Sequence, residues 1–180
     1  MKINTTSFRG LFQIEPFRHF DTRGEFVKTF HADKFAEFGL TLDFREEFFS
    51  VSNKGVLRGM HFQTPLAEHQ KIVYCTAGRV LDVLLDLRTN EPTFGKSYFV
   101  ELSSANRSML WIPLGFAHGF LSLEDGSCVI YKTDKEHSPE NDMGLHWNSF
   151  GFNWPAGKQS YLVSPRDMNH PSFAEYESPF

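Results

Sequence analysis

The sequence has few cysteines, no excess of basic charge and no long apolar run. Its two cysteines, Cys75 and Cys128, lie inside apolar strand-like runs and are expected to be reduced and buried, although the sequence leaves one disulfide open. The net charge of −4 argues against attraction to nucleic acid or an anionic membrane over the whole surface. The N-terminal residues lack an apolar signal core, and no apolar run reaches membrane-spanning length. We therefore predict a cytoplasmic protein with no nucleic-acid or membrane partner.

Repeats, low-complexity segments and linker-like changes of composition are also absent from the chain. A length of 180 residues suffices for a sizeable core, so a single domain over residues 1–180 is predicted. Phenylalanine is abundant, with 20 residues against 5 tyrosines and 3 tryptophans. This number of phenylalanines is typical of a densely packed barrel interior, or of the apolar walls of a site for a ligand with flat faces. Core packing is the simpler of these interpretations.

Short runs of β-branched and aromatic residues predict an all-β fold. The clearest runs are 72–77, 80–87, 97–102, 108–112 and 128–132, and turn-rich segments separate most of them. Gly78 is placed for a turn or bulge between the first two runs. Many short strands at nearly even spacing favour a mostly antiparallel barrel of two sheets.

Helix is scarce in the predicted fold. The best candidate is 33–39, with Asp33 as its N-terminal cap and Gly39 at its end. Phe35 and Phe38 are expected to share one face of this helix. Three prolines after Ser164 predict a C-terminal tail that follows the surface without regular structure.

The segment 112–119 has the Pro-x-Gly-x-x-His pattern of the second cupin motif, a jelly-roll signature. In metal-binding cupins the histidine of this motif, here His118, joins a His-x-His pair and a glutamate. Here His61 is followed by Phe-Gln, so the second histidine of the pair is missing, and the spacing of Glu68 and His69 is not that of the metal motif. Because a first-row metal needs three or four converging ligands, no metal site is predicted.

Proton transfer is the other interpretation of His61. A neutral imidazole is a suitable general base because its ordinary pKa of about 6.5 lies near neutral pH. A carboxylate such as Asp167 would hold the imidazole in one tautomer, and Tyr131 is a candidate second acid. Each residue also has a structural alternative, namely a core histidine, a turn cap and a packing tyrosine.

Ordered motifs along nearly the whole chain resemble the dTDP-4-dehydrorhamnose 3,5-epimerase family of the cupin superfamily. They are the segments 20–26, 56–63, 78–83, 86–88, 92–95, 112–120, 131–132 and 154–155. The resemblance implies a double-stranded β-helix, the cupin jelly roll, with short flanking helices. It also implies cofactor-independent 3,5-epimerisation of a nucleotide-linked 4-keto-6-deoxy sugar of the dTDP-4-dehydro-6-deoxyglucose type, in deoxysugar or surface polysaccharide biosynthesis.

The resemblance implies roles for individual residues as well. His61 would abstract the proton next to the C4 ketone with Asp167 as its partner, Tyr131 would be the acid on the other face, and Lys71 would stabilise the enolate oxygen. The predicted substrate-binding residues are Arg23, Phe26, Lys28, Glu46, Arg58, Gln63 and His118. Of these, Arg23 and Phe26 match a segment that reaches a neighbouring subunit's nucleotide in the family, which implies a homodimer. No cofactor is expected, because deprotonation and reprotonation leave the oxidation state unchanged.

Departures from the family pattern concentrate on the nucleotide side. Lys28 replaces a usual glutamate, Glu46-Glu47-Phe48 replaces a Gln-x-Asn element, and Glu136-His137 replaces paired tyrosines. These changes leave the carrier open among dTDP, UDP, CDP and GDP, with neutral drift as the other explanation.

Further alternatives concern the reaction itself. They are inversion at C3 or C5 alone, a metal-dependent cupin oxygenase or isomerase, and a non-catalytic sugar-binding barrel. The presence of Tyr131 favours the double inversion.

Overall fold

The computed structural model describes residues 1–41, 43–155 and 161–180, and strands dominate it. In chain order the strands are β1 (Lys2–Thr5), β2 (Phe12–Glu15), β3 (Phe17–Asp21), β4 (Gly24–Lys28), β5 (Glu46–Ser52), β6 (Val56–Gln63), β7 (Lys71–Ala77), β8 (Arg79–Asp86), β9 (Ser97–Ser103), β10 (Met109–Ile112), β11 (Phe116–Ser122), β12 (Ser127–Thr133), β13 (Asp142–Gly144) and β14 (Leu162–Val163). The helices are α1 (Ala32–Ala36), α2 (Pro165–Met168) and a 3-10 turn at Phe173–Glu175. No helix in these described ranges is long and apolar enough to cross a membrane.

Two sheets with antiparallel strand pairing form the body of the fold. Sheet I has the strand order β1-β2-β10-β7-β12-β5, and sheet II has the order β13-β6-β11-β8-β9, with β14 parallel to β6. Strands β3 and β4 form a separate hairpin. Strands that are consecutive in the chain often lie in opposite sheets, and this pattern confirms the predicted cupin jelly roll with short flanking helices.

Apolar side chains occupy three layers rather than one. Val73, Leu84 and Val129 belong to the cluster between the two sheets. A second cluster lies on the outer face of sheet II, where the C-terminal segment packs on it, and a third lies between sheet I and α1. Val83 belongs to the second cluster although its neighbour Leu84 belongs to the first, so β8 is buried on both faces. This explains why the sequence shows continuous apolar runs instead of alternation.

The predicted strand runs and the turn at Gly78 are confirmed. Gly78 has a φ of +68°, and a Cβ there would lie 2.8 Å from the Cα of Ser127. Only glycine satisfies both conditions, so β7 can turn directly into β8. Cys75 and Cys128 are free thiols in the structure; Cys75 is buried as predicted, whereas Cys128 is only partly buried.

The details of the predicted helix were wrong. Its N-terminal cap is His31 rather than Asp33, which lies in the first turn. Phe35 is buried but Phe38 is 47% exposed, because the helix ends before Phe38 can join the same face. The chain turns away from the helix at Gly39, whose φ is +72°.

The C-terminal tail is more regular than predicted. Pro165 begins α2, where a missing N–H is tolerated, and the Ser164 hydroxyl accepts the N–H of Asp167 at 3.0 Å. The expectation of an irregular tail after Ser164 was therefore wrong, and α2 is the element that carries Asp167.

Candidate active site

A cavity of about 280 Å³ opens beside strands β5, β6, β7, β11 and β12. Its walls include predicted residues from distant parts of the chain, namely Arg58, His61, Gln63, Lys71, His118 and Tyr131. They also include Phe48 and His137, which the sequence analysis noted as departures on the nucleotide side, and His69, Asp142 and Arg166, which it did not assign to a site. We call this the active-site cavity.

His61 and Asp167 form a hydrogen-bonded pair at the edge of the cavity. The Nε2 atom of His61 lies 2.9 Å from Oδ1 of Asp167, and Oδ2 of the same carboxylate accepts the backbone N–H of Gly59 at 3.0 Å. Burial alone would raise the pKa of Asp167, but the hydrogen bonds from His61 and Gly59 lower this pKa to about 2. The carboxylate is thus ionised at neutral pH. It therefore holds the proton of His61 on Nε2 and leaves the basic lone pair on Nδ1.

Close approach of β6 and β11 sets the position of His61. A Cβ on Gly59 would lie 2.5 Å from the Cα of Gly119, so this crossing requires glycine. The strand register then places His61 directly opposite His118. The pairing of β6 with β11 therefore places two imidazoles on one wall of the cavity.

His118 has its own carboxylate partner, which sequence reasoning missed. Its Nε2 atom lies 2.8 Å from Oδ2 of Asp82, and both side chains are buried. Asp82 comes from β8 and is paired in register with Phe120. The available signal was a single carboxylate inside the apolar run 80–87. This contact orients His118 as Asp167 orients His61.

Lys71 is a buried cation at the start of β7, within the cavity wall. Burial lowers the pKa of its ammonium group to about 8, although Asp82 and Asp142 act in the opposite direction. A desolvated ammonium interacts strongly with developing negative charge, because little water screens it. Lys71 is thus suited to stabilise an oxyanion in the cavity.

Tyr131 lies in the middle of β12 and is buried. Its ring stacks on Phe48, with centroids 4.7 Å apart and an interplanar angle of 12°, and meets the His118 ring edge-on at 5.9 Å. Burial raises the pKa of its hydroxyl well above the ordinary value. The hydroxyl is therefore protonated at neutral pH and can donate a proton.

Arg23, Phe26 and Lys28 lie on the β3–β4 hairpin and not among the residues that line the active-site cavity. Arg23 pairs with Asp21 at 2.6 Å near the hairpin turn. Phe26 is 56% exposed. Lys28 borders a separate surface depression together with residues of α1 and the N-terminus. One chain by itself does not bring these residues to His61, and their substrate contacts stay predictions.

The side chains of Gln63 and Glu46 form hydrogen bonds with other parts of the protein. The Gln63 amide donates to the carbonyl of Ala67 at 3.0 Å and lies 2.8 Å from Nδ1 of His69, while its oxygen accepts the N–H of Ser138 at 2.6 Å. Glu46 accepts the N–H of His137 at 2.8 Å. Both residues hold loops that border the cavity, and their predicted contact with substrate is untested.

The rim of the cavity carries a charged cluster around Asp142. Its Oδ2 atom accepts hydrogen bonds from Arg166 at 2.7 Å and from Nε2 of His137 at 3.1 Å. Burial raises the pKa of Asp142, but the interactions with His137 and Arg166 lower it by a larger amount, so the net shift is downward. Arg166 and the exposed Arg58 give the rim two guanidinium groups, which suit phosphate oxygens.

His170 lies behind the pair of His61 and Asp167 and was also missed. Its Nε2 atom is 3.8 Å from Oδ1 of Asp167, and its ring packs where a side chain on Gly144 would lie. Among the described residues, His61, Asp167 and His170 form the group whose ligand atoms, within 4.8 Å of one another, are spaced for a metal. Within this group, Nε2 of His61 and Oδ1 of Asp167 share a hydrogen bond, and such a pair of histidine and carboxylate is suited to proton transfer.

Comparison with known proteins agrees with this geometry. Residues 5–175 match the family model described as dTDP-4-dehydrorhamnose 3,5-epimerase. The chain is 38% identical to the dTDP-4-dehydrorhamnose 3,5-epimerase of Shigella flexneri over 178 residues, which are 97% of each protein. It is also similar to the crystal structure of dTDP-6-deoxy-D-glucose-3,5-epimerase from Legionella pneumophila in complex with dTDP-4-keto-L-rhamnose. That match has a TM-score of 0.92 and 37% identity, and covers 98% of this chain and 94% of the other.

A relative with a different reaction has the same fold. The structure of a 3'-monoepimerase from Streptomyces bikiniensis in complex with dTDP-quinovose matches with a TM-score of 0.89 and 29% identity, over 95% of this chain and 87% of that one. The family match extends over nearly the whole chain, and the fold agrees with it. This protein therefore belongs to the dTDP-4-dehydrorhamnose 3,5-epimerase family of isomerases.

Proposed function

We propose that this enzyme inverts both C3 and C5 of dTDP-4-dehydro-6-deoxyglucose without a cofactor, for the synthesis of a deoxysugar. The observation that carries the proposal is the meeting of His61, Lys71 and Tyr131 at one cavity, with Asp167 behind His61. These groups supply a base, a cation and an acid. Proton transfer next to a ketone requires these three functions.

The reaction proceeds as two rounds of the same proton transfer. Nδ1 of His61 removes the proton from a carbon next to the C4 ketone, and the electron pair moves to the ketone oxygen. The ammonium of Lys71 stabilises the resulting enolate. Tyr131 then donates its hydroxyl proton to the same carbon from the opposite face, which inverts the centre and regenerates the ketone. The Tyr131 phenolate recovers a proton from solvent and His61 releases one, so the second carbon reacts in the same way.

Relatives of the same fold support dTDP as the carrier but differ in the number of centres inverted. The Legionella enzyme is named as a 3,5-epimerase, whereas the Streptomyces bikiniensis enzyme is named as a 3'-monoepimerase. Tyr131 supplies the acid that completed inversion requires at each carbon. Of the altered positions, Phe48 and His137 line the cavity and Glu46 accepts the N–H of His137, so UDP, CDP or GDP carriers are the alternative that requires a test.

Incubation of the purified enzyme with dTDP-4-dehydro-6-deoxyglucose in D₂O is expected to place deuterium at C3 and at C5 of the inverted product. The reason is that each inverted carbon receives a proton that has equilibrated with solvent. NMR and mass spectrometry of the product measure the incorporation, with the UDP-, CDP- and GDP-linked sugars tested in parallel and with chelator-treated enzyme as a control. Absence of exchange with every carrier would contradict an epimerase. Deuterium at one carbon alone would establish single inversion.

We also propose a homodimer in which the β3–β4 hairpin of one subunit completes the cavity of the other. The hairpin is tied to its own subunit through Glu25, which accepts a hydrogen bond from Arg107 at 3.0 Å. Phe17 and Phe26 are exposed on one face of the hairpin and Phe20 is exposed on the other, an amount of apolar surface that water does not favour. Arg23 near its turn offers a cation for the nucleotide diphosphate.

Arg23→Ala is expected to raise KM by about ten- to a hundredfold with little change in kcat, because one charge-assisted contact to phosphate is lost. A mixture of Arg23→Ala and His61→Asn chains is expected to recover turnover at low substrate concentration, since a mixed dimer has one site with both residues intact. Sedimentation velocity measures the oligomeric state, which is expected to be a dimer. A monomer, or mixtures with no recovery, would contradict the shared site.

A further inference from the structure

The ring of Phe48 is in direct stacking contact with the proposed acid, Tyr131. We propose that Phe48 is a positioning residue that fixes the orientation of the Tyr131 ring and thereby determines how often proton abstraction ends in inversion. This inference rests on the proposed epimerase function, and it concerns a residue that departs from the amide usual in the family.

The register of sheet I creates the contact. Phe48 on β5 lies directly opposite Tyr131 on β12, and the ring centroids are 4.7 Å apart at an angle of 12°. Tyr131 also contacts the His118 ring in an edge-type arrangement, with centroids 5.9 Å apart and an interplanar angle of 65°. Asp82 in turn holds His118 at 2.8 Å. The tyrosine ring therefore has one stacked contact and one edge-type contact.

Phe48 is the less buried ring of the stacked pair, because it lies on the edge strand of sheet I. Strand β5 is the edge of sheet I, and Phe48 is 45% exposed although Tyr131 is buried. An aromatic pair of this kind favours its stacked arrangement by about two- to twelvefold over an alternative without the contact. Loss of the stack is thus expected to repopulate other orientations of Tyr131 without removing its hydroxyl.

The orientation of Tyr131 matters because the enolate has two fates. Tyr131 can donate a proton from one face, which inverts the carbon, or protonated His61 can return a proton from the original face, which restores the substrate. In D₂O the second route exchanges the hydrogen for deuterium once the abstracted proton on His61 has been replaced by a deuteron from the solvent. The ratio of inverted product to exchanged but uninverted substrate therefore measures the position of the acid, independently of the rate of proton abstraction.

The test compares Phe48→Asn with Phe49→Asn and Phe48→Tyr in the D₂O assay. Phe49 is the matched control, since it is the next residue on the same strand and is 66% exposed. Phe48→Asn is expected to lower the ratio of inversion to exchange by about two- to twelvefold while exchange continues. Phe48→Tyr, which preserves the stack, is expected to keep the ratio, and Phe49→Asn is expected to match the wild type.

Several results would overturn the proposal. An unchanged ratio in Phe48→Asn, or an equal loss of exchange and inversion, would show that Phe48 does not position the acid. If Phe48→Asn does not fold, as judged by thermal unfolding, Phe48→Leu replaces it with the same expected fall in the ratio, and an unchanged ratio there also overturns the proposal. Failure of the wild-type enzyme to exchange with any carrier would instead refute the proposed function, so the two failures are distinguishable.

Discussion

Replacement of His61 by asparagine is expected to lower the rate of deuterium exchange at both C3 and C5 by about 10²- to 10⁴-fold, the usual contribution of a positioned general base. Asparagine is shorter than histidine and does not reach Asp167 as Nε2 of His61 does, but the carboxylate keeps the backbone N–H of Gly59 at 3.0 Å as a partner. The amide has no basic lone pair, so the variant removes the base. The loss therefore reports on proton abstraction itself.

The control for this variant is His31→Asn, which changes an exposed histidine at the start of α1. It is expected to retain the wild-type exchange rate. Full exchange in His61→Asn would refute the assignment of the base, and His118, held by Asp82 in the same way, would be the next candidate. Loss of exchange at one carbon alone would indicate that the two histidines each serve one carbon.

Replacement of Lys71 by methionine is expected to lower kcat by about 10²- to 10³-fold, because the enolate loses its buried cation. Methionine fills a similar volume, and removal of a desolvated charge is not expected to reduce the free energy of unfolding. The measurements are steady-state turnover and chemical denaturation of the same preparations. The matched control is Lys132→Met on the neighbouring strand β12, where the ammonium pairs with Glu47 at 2.8 Å. Turnover of Lys71→Met within a few-fold of the wild type would contradict the role of Lys71.

The pH dependence provides a second check on Lys71. Its pKa of about 8 lies below the ordinary value of 10.5, because burial disfavours the charged form. Turnover is therefore expected to fall as pH rises through about 8, when the cation is lost. Between that pKa and 10.5 the unfolded chain binds more protons than the folded one, so this group makes stability rise with pH over the same window. Opposite trends in activity and stability would identify Lys71, and Lys71→Met should lose the rise in stability.

Short segments of the sequence were enough to predict the strands, and the family resemblance added six of the residues that line the cavity. The run from Ile72 and the run that contains Tyr131 are local patterns of β-branched and aromatic residues, and their burial in strands follows from composition alone. The Pro-x-Gly-x-x-His segment was likewise enough to predict a jelly roll. The helix at 33–39 was less well predicted, since the turn at Gly39 ends it too early for Phe38 to be buried.

The sequence by itself therefore determined the all-β class, the family resemblance and the chemical types at the site, because each depends on residue identity and short-range order. Only the tertiary structure decided which groups meet. Asp82 reaches His118 through the register of β8 with β11, and Phe48 reaches Tyr131 through the register of β5 with β12. His170 reaches His61, with ring centroids 5.8 Å apart, because α2 follows a chain segment that returns alongside β6. Pairing between distant strands depends on the packing of the whole barrel, and no local pattern encodes it.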